Sequence, residues 1–222
     1  MNPGGEVADL RRLHGGRHSL PPDMVAFNQR ERLLAAIAET VAEHGYNKAT
    51  IAQITDAASV SRRTFYENFA SKEECFLAAY RAVDGYLFPL LDAAAEAEAD
   101  WSDKVAAVLT KLIRFLAEHP QLARLYLVES AVVGEGMISE RDQSAERLIA
   151  LLAAGRPERA GDRQLPDGTE EALIGGVMTL LTRRVGAGEA ERLDSFAPAA
   201  IEFALAPYLG FEEAREVAAR QR

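Results

Sequence analysis

Cysteine is almost missing from this chain: among 222 residues only Cys75 carries a thiol. A lone cysteine forms no internal disulfide, so the core alone must hold the fold, and a reducing cytoplasm is the expected setting. Cys75 sits beside Phe76 near an expected helix start, where a small packed side chain is the ordinary reading and a redox sensor the rarer one. No run of about 18 apolar residues is present, so no membrane-spanning helix is expected. The opening stretch MNPGGEVADLRRLHGG is polar and glycine-rich and has no apolar signal core. No segment alternates apolar and polar residues with a period of two, so no strand is assigned. The histidines, His14, His18, His44 and His119, are scattered and make no His-x-x-x-His spacing. No phosphate-cradling Gly-x-Gly-x-x-Gly follows a strand, and Gly134 and Gly136 read as a helix break. Carboxylate runs such as Glu96-Ala97-Glu98 and Glu170-Glu171 read as solvated faces or helix caps. No metal, no cofactor and no enzymatic activity are therefore expected.

What is present is a packed, helical composition. Apolar residues make up 48% of the chain, and 16 glycines and 9 prolines are spread thinly. The length suits one compact body, or a small domain fused to a larger one. The net charge of −9 is unevenly placed: residues 1–70 hold eight Lys/Arg and eight Asp/Glu, whereas residues 71–222 hold 17 against 26. A neutral N-terminal part with clustered arginines can still meet phosphates, because local charge governs that attraction.

Residues 50–76, TIAQITDAASVSRRTFYENFASKEECF, carry the clearest pattern. Thr50 and Gln53 have the spacing of a capping box, which starts a short helix with Ile51, Ile54 and Ala58 on one face. The run Ala57-Ala58-Ser59-Val60 breaks it, and Ser59 or Ser61 can cap the next helix. That helix, about Ser61 to Asn68, turns Phe65 and Phe69 inward and Arg62, Arg63, Thr64, Tyr66 and Asn68 outward. Ser71-x-x-Glu74 then forms a second capping box. A short helix with apolar anchors behind and hydrogen-bond donors in front can enter a major groove.

These residues resemble the DNA-binding domain of the TetR (tetracycline-repressor) family of bacterial transcription regulators. The resemblance rests on Val60-Ser61-Arg62-Arg63-Thr64-Phe65-Tyr66 and on Phe69-x-x-Lys72-Glu73, and extends back through Asn28 to Arg32 and His44-Gly45-Tyr46. One departure lies in the turn, where Ser59 replaces the family's usual glycine and either bears a positive φ, at a cost of about 1 kcal/mol, or makes a slightly different turn. The resemblance implies an all-α fold: a three-helix helix-turn-helix domain over residues 21–70, then a larger helical ligand-binding and dimerisation domain over residues 71–222. It assigns DNA binding to Thr50, Ser61, Arg62, Arg63, Thr64, Tyr66, Asn68 and Lys72. Arg62 and Arg63 can each read guanine or clamp phosphate; the residues leave both open. Residues 1–20 are expected to be a flexible arm, with Arg11, Arg12 and Arg17 either in a disordered tail or reaching a minor groove.

Beyond the head, periodicity predicts helices over 22–44, from Ser71 past Pro89 with a kink at Gly85–Pro89, over 102–118, over 120–133, over 137–152, from Thr169 to about Val185, and from Leu193 to Tyr208. Residues 155–168 read as a loop. The segment 120–133 is apolar nearly all round and is expected to be buried, with Glu129 either a ligand contact or an internally paired carboxylate. A pocket is expected among Leu87, Leu91, Phe115, Tyr126, Glu129, Met137, Arg141 and Met178. Small residues at Gly175, Gly176, Ala199, Ala200 and Ala204 suit helix-to-helix self-association or ordinary internal packing. The expected partners are a double-stranded operator, a second copy of the chain and an unidentified small-molecule effector, with no membrane. The function these features imply is a ligand-responsive repressor released from a near-palindromic operator by an apolar or aromatic compound. A DNA-binding regulator whose body takes a protein partner, and a helical enzyme with a helix-turn-helix-like fragment, are the alternatives.

Overall fold

All regular structure among the described residues is helical, as the spacing of apolar residues requires. The computed structural model describes residues 22–155 and 165–221, with backbone alone for residues 22–26. The expected N-terminal arm and most of the expected 155–168 loop lie outside the described residues.

Helix α1 (Pro22–His44) ends where Gly45, at φ 77°, donates its N–H to the Val41 carbonyl at 2.9 Å. The short helices α2 (Ile51–Ala58) and α3 (Arg62–Asn68) follow, then the long α4 (Lys72–Glu96). Leu33, Ile37 and Val41 of α1 pack with Ile54, Phe65, Phe69, Cys75 and Phe76 in a core that water does not reach. Burial pushes the Cys75 thiol up to about 12, which fits the packed reading of this residue rather than a reactive one. Ser71 accepts from the Glu74 N–H at 3.1 Å, but Glu74 reaches back to the Ala70 N–H at 2.6 Å instead of to the cap residue itself.

The expected continuation of the helix past Pro89 is borne out: α4 runs as a single element through the proline. Leu87, Phe88 and Leu91 on either side of the proline are buried, and their packing outweighs the lost backbone bond. Helix α5 (Trp101–Glu118) packs against α4, with Val105, Leu109, Leu112, Ile113 and Leu116 buried. The expected helix 120–133 is irregular instead. A single turn, α6 (Pro120–Ala123), widens into a π turn (Arg124–Val128) and tightens into a 3₁₀ turn (Glu129–Val132). Side-chain bonds replace part of the regular ladder there: Ser130 Oγ donates to the Tyr126 carbonyl at 2.6 Å. Leu125, Tyr126 and Leu127 are buried, but Val132 is half exposed, so the segment is not buried all round.

Helices α7 (Gly136–Ala153) and α8 (Thr169–Gly186) complete the cavity-bearing part. The last expected helix divides. Ala190–Phe196 is 3₁₀, and α9 (Ala197–Leu209) starts where Pro198 can occupy a first-turn position without losing a bond. A further helix, α10 (Phe211–Arg220), was missed in the sequence, although Ala214, Val217 and Ala218 have helical spacing and are buried. Ala200 and Ala204 are wholly buried inside the protomer, so they serve internal packing and face no partner. Glu170, expected on a solvated face, is buried and accepts a hydrogen bond from the Tyr208 hydroxyl at 2.5 Å.

Trp101, the single tryptophan, donates from Nε1 to the Leu151 carbonyl at 2.8 Å and lies 5.0 Å from the Tyr208 ring. A Cβ built on Gly155 would come within 2.2 Å of the indole, so only glycine fits beside it. Gly155→Ala should therefore cost about 1–3 kcal/mol through overpacking. Denaturation followed by Trp101 fluorescence should show the loss together with a shifted native emission; an unchanged midpoint and spectrum would refute the contact.

Candidate functional site

The outward face of α3 is built by what holds its ends. Ser61 caps it, its Oγ accepting from the Thr64 N–H at 3.0 Å, while the Ser61 and Thr64 hydroxyls lie 2.9 Å apart. At the far end Arg30 of α1 donates to the Asn68 carbonyl at 3.4 Å, with its guanidinium 4.5 Å above the Phe69 ring. Helix α2 is held likewise. Thr50 and Gln53 close the capping box in both directions, and Arg32 donates to the Ala58 carbonyl and, at 3.0 Å, to that of Ser59. Two arginines of α1 thus satisfy the carbonyl ends of both short helices, where cations are favoured. Ser59 is the one non-glycine residue with positive φ among those described, at φ 51° and ψ 47°.

Arg62, Arg63 and Tyr66 stand exposed above fully buried Phe65 and Phe69, and Tyr66 meets the Phe65 ring edge-on at 5.5 Å. Arg63 pairs with Glu67 at 2.8 Å on the surface, which leaves Arg62 the less committed cation of the two. Asn68 is half-buried and donates to the Thr64 carbonyl at 2.9 Å, so its amide is partly occupied by its own helix. Lys72 is more committed than its sequence position implied. Its ammonium donates to the Tyr46 and Ala49 carbonyls at 2.7 and 2.9 Å and lies 4.1 Å from the Tyr46 ring. Burial lowers its pKa. One N–H remains for an outside acceptor.

A cavity of about 620 Å³ opens between α4, α5, the π turn, α7 and α8. Leu87, Leu91, Tyr126, Arg141 and Met178 line it, as the sequence placed them; Phe115, Glu129 and Met137 do not. Phe115 packs instead on Tyr86 and His119, Met137 is buried at the start of α7, and Glu129 is paired across the head–body boundary. The floor is apolar, with Leu112, Leu127, Leu148 and Ile174, while Arg141, Arg183, Asp142 and Glu171 stand among the lining. Tyr80 and Tyr126 stack with ring centres 4.5 Å apart.

Sequence reasoning missed the polar cluster behind that stack. Asp84 accepts from the Tyr126 hydroxyl at 2.6 Å and from the Ser144 hydroxyl at 2.8 Å, and the Tyr80 hydroxyl lies 3.3 Å from Ser144 Oγ. Burial raises the Asp84 carboxyl pKa, opposed by the hydrogen bonds from Tyr126 and Ser144. The available signal was a carboxylate one turn beyond Tyr80, beside the apolar stripe of α4.

The sequence profile of the family described as bacterial regulatory proteins, tetR family, matches residues 33–79, the core of this head from mid-α1 into α4. The head of the chain is a TetR-family DNA-binding domain. Beyond the head, the described residues have an all-helical fold like that of TetR-family regulators. The nucleoid occlusion factor SlmA of Alteromonas mediterranea is 22% identical over 168 residues, covering 72% of this chain and 83% of that protein. The fatty acid degradation regulator FadR from Bacillus halodurans superposes with a TM-score of 0.72 at 19% identity, over 83% of this chain and 96% of that one. The transcriptional regulator FadR from Bacillus subtilis, solved in complex with stearoyl-CoA, gives 0.70 at 19% identity, over 80% and 98%. At these identities the structural likeness is one of fold.

The turn of this TetR head carries a strained residue that glycine would relieve. Ser59→Gly should raise stability, by up to about 1 kcal/mol, because a side chain in the left-handed region is penalised and glycine is not. Thermal melting that shows no gain, or a loss, would mean that the Ser59 side chain compensates its own strain.

Proposed function

We propose that the protein is a homodimeric, ligand-responsive repressor, working in the reducing cytoplasm, that leaves a near-palindromic operator when a mostly apolar small molecule fills the body. The observation that carries the proposal is the pairing of an exposed Arg62–Arg63–Tyr66 face on a rigid α3 with an apolar-floored cavity whose wall includes α4, the helix that begins beneath the head. Thr50, Ser61, Thr64, Asn68 and Lys72 surround that face and serve as phosphate or base contacts. An effector with a long apolar part suits the floor of leucines, isoleucines and methionine, and the stearoyl-CoA held by the Bacillus subtilis FadR supports an acyl compound as the first to try.

An effector releases DNA only by binding the DNA-incompetent arrangement better. A preference of about 1–3 kcal/mol changes operator affinity roughly 5–150-fold, enough for induction. By reciprocity the same factor must weaken effector binding to the operator complex.

Selection of bound genomic fragments provides an operator, and gel-shift titration then tests the reading face. Tyr66→Ala and Thr64→Ala should each weaken operator binding about tenfold or more, since a good contact is worth roughly 1–3 kcal/mol, while the melting temperature stays put. Equal affinity in both variants would sink the assignment of α3.

Self-association is assigned to α8 and α9. Leu180 and Phe203 are 40% and 48% exposed there, and Gly176 approaches the Phe203 ring so closely that an added Cβ would sit 3.2 Å from it. Two heads must lie about 34–36 Å apart to read successive major grooves on one face. Phe203→Glu should convert the dimer to a monomer in sedimentation and lower operator affinity with it. A wild-type monomer at micromolar concentration, with and without operator, would refute the dimer.

A further inference from the structure

Glu129 is a carboxylate where carboxylates are rarely left: 5% exposed, next to buried Leu125, Tyr126 and Leu127. Both of its oxygens are engaged. Oε2 accepts from the Tyr46 backbone N–H at 2.7 Å, and Oε1 pairs with Arg124 at 3.1 Å. Tyr46 lies in the loop between α1 and α2, so this carboxylate ties the body to the head between residues 83 positions apart. The contact is close: a Cβ on Gly45 would stand 3.7 Å from Oε2. From the other side Lys72 grips the same loop through the Tyr46 and Ala49 carbonyls.

The backbone under Glu129 is poised between two registers. Its N–H is shared between the Arg124 carbonyl, the π partner, and the Leu125 carbonyl, the α partner. Settling into one register turns a residue by about 100° relative to the other, which would carry the carboxylate off Tyr46. Single π turns inside helices are uncommon and frequent at functional sites. The middle residue of this one, Tyr126, is a wall of the cavity, stacked on Tyr80 and hydrogen-bonded to Asp84 of α4. Cavity wall and head contact therefore sit on one irregular turn.

We propose that Glu129 is a positioning residue for operator binding, and that the π turn makes its hold on the Tyr46 loop depend on the Tyr126–Asp84 bond at the cavity wall. The proposal rests on the DNA-binding, ligand-responsive reading above and narrows its effector class. Beside its apolar part, the effector carries a hydrogen-bonding group (hydroxyl, carbonyl or carboxylate) that competes for Tyr126 or Asp84. When Tyr126 is drawn away from Asp84, the turn relaxes, the Glu129 carboxylate leaves the Tyr46 N–H, and the head loses its fixed placement on the body.

The deciding test uses neither DNA nor effector, so it separates this proposal from the functional reading. Amide exchange at Tyr46, read by NMR on the full-length chain, should be tenfold or more faster in Glu129→Met, which keeps the volume and removes the acceptor. In Glu129→Gln, which keeps an acceptor oxygen, it should stay within threefold of wild type. Tyr126→Phe alone should speed that amide at least threefold and add nothing in the Glu129→Met background. Operator affinity, measured well below each variant's melting temperature, should fall tenfold or more in Glu129→Met and little in Glu129→Gln. Exchange at Tyr46 that ignores Tyr126→Phe, or affinity that follows only the melting temperature, would overturn the proposal and leave Glu129 a structural pair. Should no genomic fragment bind the wild type, the DNA reading falls, while the exchange data still decide the link between cavity wall and loop.

Discussion

A seven-residue helix has no stability of its own, and α3 is that short. Its shape depends on the burial of Phe65 and Phe69 in the core that they share with α1 and α4, and on polar contacts at its two ends. Ser61 satisfies the amino end, and Arg30 supports the carboxyl end while covering the Phe69 ring. The exposed groups above inherit their placement from the buried rings below. Two full aromatic side chains in a rigid core are worth several kcal/mol of burial, more than any surface pair in the head supplies.

The same economy recurs where head meets body. The apolar core runs without a break from Leu33 and Phe65 through Phe76 and Tyr80 to Leu87 and beyond, because α4 belongs to both parts. The two carboxylates set into that continuous core are both paired: Glu129 with Tyr46 and Arg124, Asp84 with Tyr126 and Ser144. An unpaired carboxylate at either place would be expensive to bury. Each therefore fixes the relative position of two elements far apart in the chain. Such pairs specify arrangement more than they add stability, and the two lie close in the chain, since Tyr126 and Glu129 are three positions apart.

The net negative charge lies in residues 71–222, whereas the outward face of α3 offers Arg62 and Arg63 among neutral donors. Phosphate attraction acts over about a Debye length, so the local charge of the head counts for more toward a duplex than the net charge of the chain. Arg32 and Arg30, though cationic, are spent inside the head on helix carbonyls, which is why composition alone overstates the cations available to DNA.

Features set by residues within one or two turns of each other were legible in the sequence. The capping box at Thr50 and the caps at Ser61 and Ser71 follow from local spacing, because the interactions that enforce them span four residues or fewer. The helical class and the neutral, arginine-bearing head were equally accessible. Where competing local signals met, the tertiary structure decided: α4 continues through Pro89 because its neighbours are buried, and 120–133 abandons a regular helix for a π turn and a 3₁₀ turn. It also decided every pairing across the chain. Glu129 proved to bind Tyr46 rather than line the cavity, Ser144 and Asp84 met behind Tyr126, and Ala200 turned inward. Periodicity tells which residues share a face of one helix. It carries no information about what that face meets, and partners 83 or 64 positions apart are chosen only when the helices pack.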